Sequence, residues 1–173
     1  LPAARRWWAG WVRKFAAHGF RGAWIDMNDP STGAVQNDAM LFNHGRAAHD
    51  TFHNQYASGM AVATRAGFEA AHPGKRTFVI SRSGFTGISR HAAIWTGDNC
   101  ANYHYLRQSI PTSLNLALSG VPFNGPDIGG FAGNTTPALM RDWQKAGFLF
   151  PFCRNHAACD TVRKEPWVFD ALT

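Results

Sequence analysis

Charged residues and cysteines are both scarce in this sequence. Only 16% of its 173 residues are charged, and only three are cysteines. The low charge argues against a disordered or coiled-coil chain. An odd cysteine count without paired short spacings argues against a disulfide framework and a cysteine zinc site. We therefore expect Cys100, Cys153 and Cys159 to be buried free thiols.

The sequence also lacks a long apolar run and a leader pattern. No stretch reaches the length of a transmembrane helix, and no charged-then-apolar segment precedes the first helical pattern. A cytoplasmic location is favoured, but Leu1 is not a start methionine, so the compartment stays unknown. The net charge of +6 is scattered along the chain, which argues against nucleic-acid binding.

The residues that are present predict a densely packed α/β protein. Hydrophobic residues make up 45% of the chain, with seven tryptophans and thirteen phenylalanines. Five candidate strands alternate with about four helices, which predicts a parallel sheet covered by helices. The candidate strands lie within RGAWIDM, KRTFVISRS, AAIWTGDN, VPFNGPDIGGF and FLFPFCRNH.

Four segments have helical spacing. The first covers residues 1–19, and the second runs from Phe52 to Ala70. The third covers residues 105–120 and should be interrupted by Pro111, whereas the fourth covers residues 135–147 and begins with a threonine cap. The first helix carries an apolar stripe, which consists of Trp7, Trp8, Trp11, Val12 and Phe15.

A polar residue stands near the carboxyl end of each candidate strand. In a (β/α)8 barrel these ends form the face on which active sites lie. Five polar side chains at five strand ends therefore predict a functional cluster. These side chains belong to Asp26, Arg82, Asp98, Asp127 and His156.

Four segments resemble, in order, the signature blocks of glycoside hydrolase family 31, a family of retaining α-glucosidases and related enzymes. They are WIDMNDPS, SRSGFTGISRHAAIWTGDN, GVPFNGPDIGGFAGNTT and FPFCRNH, and FHNQY and EPW also resemble family segments. The resemblance implies a (β/α)8 TIM barrel. Residues 1–173 would be the C-terminal part of that catalytic domain, from the helix before the fourth strand to just past the eighth. Alone, this part is expected to be aggregation-prone or partly unfolded, and inactive.

The resemblance implies that Asp26 is the catalytic nucleophile and Asp98 the general acid/base. A retaining glycosidase needs one carboxylate to attack the anomeric carbon and one carboxylic acid to protonate the departing oxygen. Arg82 is expected to pair with Asp26 and keep it ionised. Asp98, beside Trp95, is expected to hold its proton in a drier pocket.

The other site residues follow from the same resemblance. Asp127 and His156 match residues that hydrogen-bond sugar hydroxyls, and Arg82 matches one that touches both substrate and nucleophile. Asp29 stands where the glucosidase branch usually has a glutamate, which puts the hydrogen bonds of its loop in question. The expected apolar walls of the sugar pocket are Trp24, Met27, Trp95 and Phe131.

The implied activity is exo-acting hydrolysis of terminal α-glucosides, because DMN after WI resembles the α-glucosidase branch rather than the DFGE of α-xylosidases. A transglucosidase, an α-glucan lyase or an α-xylosidase stays open, as does a non-catalytic carbohydrate-binding protein. No cofactor or metal is expected, and a homo-oligomer is possible.

Each residue also has a structural interpretation. Asp26 and Asp29 could cap a helix, and Asp98 could be a turn residue. Arg82 and Asp127 could form a structural ion pair, and His156 could lie in the core.

A second pattern, HDTFH at residues 49–53, is close to the zinc-binding H-E-x-x-H motif. Aspartate is shorter than the glutamate of that motif, and no third ligand is evident. We therefore expect His49 and His53 to pack or cap locally, without zinc.

Overall fold

The computed structural model describes residues 1–36 and 39–169. The chain divides into two units, residues 1–94 and residues 95–173. The first unit contains α1 (Pro2–Ala16), β1 (Gly22–Ile25), α2 (His49–Phe52), α3 (Tyr56–Ala71), β2 (Phe78–Ser81) and most of β3 (Ala93–Trp95). The second contains α4 (Tyr103–Leu118), β4 (Asn124–Gly125), β5 (Asp127–Ile128), α5 (Pro137–Gly147) and β6 (Arg154–Asn155).

The strands of the first unit are parallel, as the alternation of strands and helices predicts. Strand β1 pairs with β2 so that Ile25 lies opposite Ser81, and β2 pairs with β3. Val79 and Ile80 are buried, because the apolar side chains of a parallel sheet are covered on both faces. This register makes Asp26 and Arg82 the next residues at the same edge of the sheet.

Helix α1 packs on helix α3. At their contact a β-carbon on Gly67 would lie 2.6 Å from the Val12 Cβ, so the two backbones approach closely. The Trp8 indole N–H donates to the Thr64 hydroxyl at 2.8 Å across the same contact. The expected stripe of α1 is only partly covered, since Trp7 remains 63% exposed. The second predicted helix is divided, and α3 begins only at Tyr56.

The second unit has a compact apolar core between α4, β5 and α5. Helix α5 begins as predicted, with the Thr136 hydroxyl accepting a hydrogen bond from the Leu139 N–H at 3.2 Å. The buried side chains of this core are Leu106, Ile128, Leu139, Met140 and Trp143.

Three predictions of local structure are wrong in the second unit. Helix α4 continues through Pro111, because burial of its inner face outweighs the lost N–H, a cost of about 3 kcal/mol. The segment VPFNGPDIGGF forms two short strands, since Pro126 lacks the N–H that a continuous ladder needs. The last predicted strand is reduced to Arg154–Asn155, parallel to β5.

The three cysteines are free, as predicted, but none of them is buried, so that part of the prediction is wrong. Cys153 and Cys159 are exposed, and Cys100 is half-buried, because these residues lie in loops rather than in the core. Among the described residues, no helix combines the length and the apolar character required to cross a membrane.

Two helical glycines should respond to alanine with opposite signs. A β-carbon added at Gly10 would meet no atom within 4 Å, so Gly10→Ala should stabilise α1 by about 0.5–1 kcal/mol. Gly67→Ala should destabilise by about 1–3 kcal/mol, because the added carbon meets Val12 and the Ala9 carbonyl. Thermal melting of the complete protein with each substitution checks this. Stabilisation by Gly67→Ala would contradict the close helix contact.

Candidate active site

The first group of site residues surrounds Arg82, which directly follows β2. Its Nη1 lies 3.2 Å from Asp26 Oδ1, so the ion pair expected between these residues is present. Its Nη2 and Nε lie 2.5 and 3.2 Å from the two carboxylate oxygens of Asp29. One guanidinium group therefore contacts both carboxylates, with two contacts to Asp29 and one to Asp26.

Asp29 is held by two hydroxyl groups as well as by Arg82. The Ser31 hydroxyl donates to Oδ2 at 2.8 Å, and the Ser83 hydroxyl donates to Oδ1. Partial burial acts to raise the pKa of Asp29, but the hydrogen bonds from Arg82, Ser83 and Ser31 outweigh it and lower the pKa to about 2. We call Arg82, Asp26, Asp29, Ser31 and Ser83 the Arg82 cluster.

Asp26 is the exposed member of this cluster, with about half of its side chain accessible. Its Oδ1 also accepts a hydrogen bond from the Met27 N–H at 2.7 Å, and Met27 has a φ of 58°. No helix follows in residues 26–36, so the helix-cap interpretation of Asp26 and Asp29 is wrong. The carboxylate is thus accessible to a ligand and oriented by its own loop.

Asn28 anchors the loop that carries Asp26 and Asp29 to the end of β2. Its side chain is buried, its Nδ2 donates to the Ser81 hydroxyl at 2.8 Å, and its Oδ1 accepts from the Ser83 N–H at 3.2 Å. Because both halves of the amide are used, the loop that carries Asp26 and Asp29 has a fixed position relative to β2.

The second group of site residues is organised by Asn99, a residue that the sequence analysis missed. The Phe131 N–H donates to both the backbone and side-chain oxygens of Asn99, each at 2.9 Å, and the Ala132 N–H donates to its backbone oxygen at 2.9 Å. The Asn99 amide donates to the Asp127 carbonyl at 3.1 Å. Asn99 thereby joins the loop of Asp98 to residues 127–132.

Asp98 itself does not lie in a drier pocket, so that prediction is wrong. Its side chain is exposed, because Gly97 has a φ of 86° and turns the chain outward after β3. Trp95 is instead only 1% exposed and belongs to the core, so it is not an accessible pocket wall.

Asp127 is fully buried and lies within β5 rather than beyond the end of a strand. Its Oδ1 lies 3.2 Å from Nη2 of Arg154, the residue opposite it on β6. Asp127 therefore pairs with Arg154, while the structural ion pair suggested between Arg82 and Asp127 stays a prediction. Sequence reasoning missed Arg154, whose only signal was its place in the RNH motif.

The aromatic residue Phe131 stacks on His156, with ring centroids 5.1 Å apart and an angle of 29° between the planes. Both side chains are half-buried, so His156 is not a core histidine. Trp24 and Met27, the other expected walls, are exposed in the first unit. An aromatic face beside a polar ring nitrogen suits the apolar CH face and hydroxyls of a sugar.

The histidine pair at residues 49–53 packs locally, as predicted. Nε2 of His49 lies 2.5 Å from Nδ1 of His53, and the buried His49 ring also contacts Phe42. Within the described part of the chain, no group of three or more histidine, cysteine or acidic side chains is arranged to hold a metal.

The lowered pKa of Asp29 predicts a pH-dependent contribution to stability. A carboxyl group with a folded pKa of about 2, below its ordinary 3.8, stabilises the fold above pH 3.8 and loses this effect as the pH falls towards 2. Asp29→Asn should therefore lower the free energy of unfolding at pH 6. Its difference from the parent protein should shrink below pH 4. Urea unfolding of the complete protein at several pH values measures this difference in unfolding free energy. In an Arg82→Gln background it should be smaller, whereas a difference that stays constant to pH 2 would contradict the ion pair.

Comparison with known proteins shows the family of this chain. The family model described as the glycosyl hydrolases family 31 TIM-barrel domain matches residues 1–173. Alpha-glucosidase 2 of Bacillus thermoamyloliquefaciens is 42% identical over 170 residues, which cover 95% of this chain and 22% of that protein.

The solved structures that are similar to this chain include two glucosidases. A family 31 alpha-glucosidase from Bacteroides thetaiotaomicron has a TM-score of 0.85 and 40% identity, covering 99% of this chain and 28% of that one. The ER glucosidase II heterodimeric complex of a catalytic subunit and the binding domain of a regulatory subunit has a TM-score of 0.89 and 37% identity, covering 99% of this chain and 20% of that one. The chain thus spans less than a third of each relative. It belongs to the TIM-barrel domain of glycosyl hydrolase family 31, as its sequence motifs indicate.

Proposed function

We propose that this chain is the C-terminal part of a (β/α)8 catalytic domain that hydrolyses terminal, non-reducing α-linked glucose with retention of configuration. The observation that carries the proposal is the contact of Arg82 with an accessible Asp26 at 3.2 Å. Support comes from the family membership and from relatives named alpha-glucosidases.

In the first step, the Asp26 carboxylate attacks the anomeric carbon, and the bond from that carbon to the leaving oxygen breaks. Arg82 and the Met27 N–H share Oδ1 of Asp26, which fixes the rotation of the carboxylate. The product of this step is a glycosyl ester on Asp26. Asp29 takes no part in the bond change and holds the Arg82 guanidinium in place through two contacts.

Asp98 is the general acid/base in this proposal. As an acid it gives a proton to the leaving oxygen, and as a base it takes one from the water that hydrolyses the glycosyl ester. Its exposed carboxyl can exchange protons with solvent between the two steps. Asn99 next to it is fixed through Phe131 and Asp127, which holds the Asp98 loop.

The glucose unit would contact the stacked Phe131 and His156 together with Asp127. The Phe131 ring offers an apolar face, and the His156 ring nitrogens can donate to or accept from sugar hydroxyls. The Asp127 side chain is fully buried against Arg154, so it would reach a sugar hydroxyl only after the residues that cover it move. Trp24 and Met27 supply further exposed apolar surface.

Trapping of the covalent intermediate tests the nucleophile. In the complete protein, 5-fluoro-α-glucosyl fluoride should label Asp26, because the fluorine slows breakdown of the ester more than its formation. Peptide mass spectrometry would find the added sugar on the peptide that contains residues 24–29. Asp26→Asn should abolish label and hydrolysis, whereas Asp29→Asn should keep the label and lose only part of the rate.

A sugar found on Asp29 or Asp127 would refute this assignment. Inversion of the product anomer would refute the retaining mechanism, and absence of turnover on any α-glucoside would refute the proposed activity.

A second experiment tests Asp98. Asp98→Ala should slow substrates with poor leaving groups far more than activated aryl glucosides, because an activated phenolate departs without protonation. Added azide should restore part of the turnover by replacing the base-assisted water. Equal losses on both kinds of substrate, without an azide effect, would remove Asp98 from the role.

A further inference from the structure

Lys164 is a charged residue without a role in the proposed reaction, yet it is only 3% exposed. Burial of a lysine is costly unless its ammonium group is compensated. Burial lowers the pKa of Lys164, while the nearby carboxylates of Asp127 and Asp160 act in the opposite direction. A buried lysine in the second unit therefore calls for a structural reason.

The ammonium group is surrounded by carbonyl oxygens of a single turn. Nζ lies 2.6 Å from the oxygens of Gly130 and Gly133 and 3.3 Å from that of Phe131. An ammonium group has three N–H donors, and here three carbonyls accept them. The positive φ values of Gly130 and Gly133, 84° and 74°, bend the turn so that these carbonyls converge.

The turn that Lys164 holds carries Phe131, the residue stacked on His156. On one side, the Phe131 N–H is bonded to Asn99. On the other side, the Phe131 oxygen accepts from the Ala158 N–H at 3.0 Å as well as from Lys164. Without the ammonium group the carbonyls of Gly130 and Gly133 would lose the donor that draws them together, and the turn could open.

We propose that Lys164 is a positioning residue of the sugar site, which holds the 130–133 turn so that Phe131 stays stacked on His156 and presents its ring to glucose. This inference rests on the proposed function, because glucose is the ligand that the stacked pair would bind. Lys164 acts through Phe131 and does not itself touch the sugar.

A double-mutant cycle with Phe131 separates this role from a general effect on stability. Glucose binding to the complete protein is measured by calorimetry, which requires no turnover. Lys164→Met removes the donors with little change in length and should weaken glucose binding about tenfold, as should Phe131→Ala. The double variant should bind no more weakly than Phe131→Ala alone.

Two further variants serve as controls. Lys145→Met makes the same change at an exposed lysine on α5, which pairs with Asp142, and should bind glucose as the parent protein does. Lys164→Gln keeps an amide donor and should fall between the parent protein and Lys164→Met. It also replaces Lys164→Met in the cycle if that variant does not fold, as judged by circular dichroism.

The outcomes distinguish the two proposals. Unchanged glucose affinity in Lys164→Met, or additive losses in the double variant, would overturn the role of Lys164 and leave the proposed function intact. A parent protein that neither binds glucose nor hydrolyses α-glucosides would overturn the proposed function and, with it, the inference that depends on it.

Discussion

The parallel register of β1 on β2 is the constraint on which the Arg82 cluster depends. Ile25 lies opposite Ser81, and the Arg82 N–H donates to the Ile25 carbonyl at 3.2 Å. A slip by one residue would turn every side chain of one strand to the other face of the sheet. Asp26 would then lose its contact with the Arg82 guanidinium group, although no residue of the motif had changed. The geometry of the acid therefore depends on backbone pairing as much as on the arginine.

The second unit positions its residues by a different kind of interaction. Its strands β4, β5 and β6 have two residues each, too few for the ladder alone to fix long loops. Buried polar side chains take over this task by bonding to backbone groups, as Asn99 and Lys164 do. Such networks stabilise only when every member is satisfied, so their removal should disturb loop geometry more than the loss of an exposed ion pair would.

The sequence was sufficient to predict the family, the parallel α/β fold and the pairing of Arg82 with Asp26, because the motifs that carry these two residues resemble the family's and follow recognisable strand patterns. It did not predict Asn99 or Lys164, whose partners are backbone N–H and carbonyl groups that almost any residue type supplies. The expectations that Trp95 lines an accessible pocket and that Asp98 lies in a dry one were also wrong. Trp95 is buried in the core, and the turn at Gly97 leaves Asp98 exposed. Helix α4 passes through Pro111 because tertiary packing overrides a local propensity.

Met27 places an oxidisable sulfur against the Arg82 cluster. Its side chain is 57% exposed, and its sulfur lies 3.1 Å from Nη1 of Arg82, the same nitrogen that contacts Asp26. A thioether is a weak acceptor, whereas a methionine sulfoxide carries a polar oxygen. That oxygen would compete with the Asp26 carboxylate for the guanidinium. Peroxide could thus alter the environment of the acid without changing any ionisable residue, and a methionine sulfoxide reductase could reverse the effect.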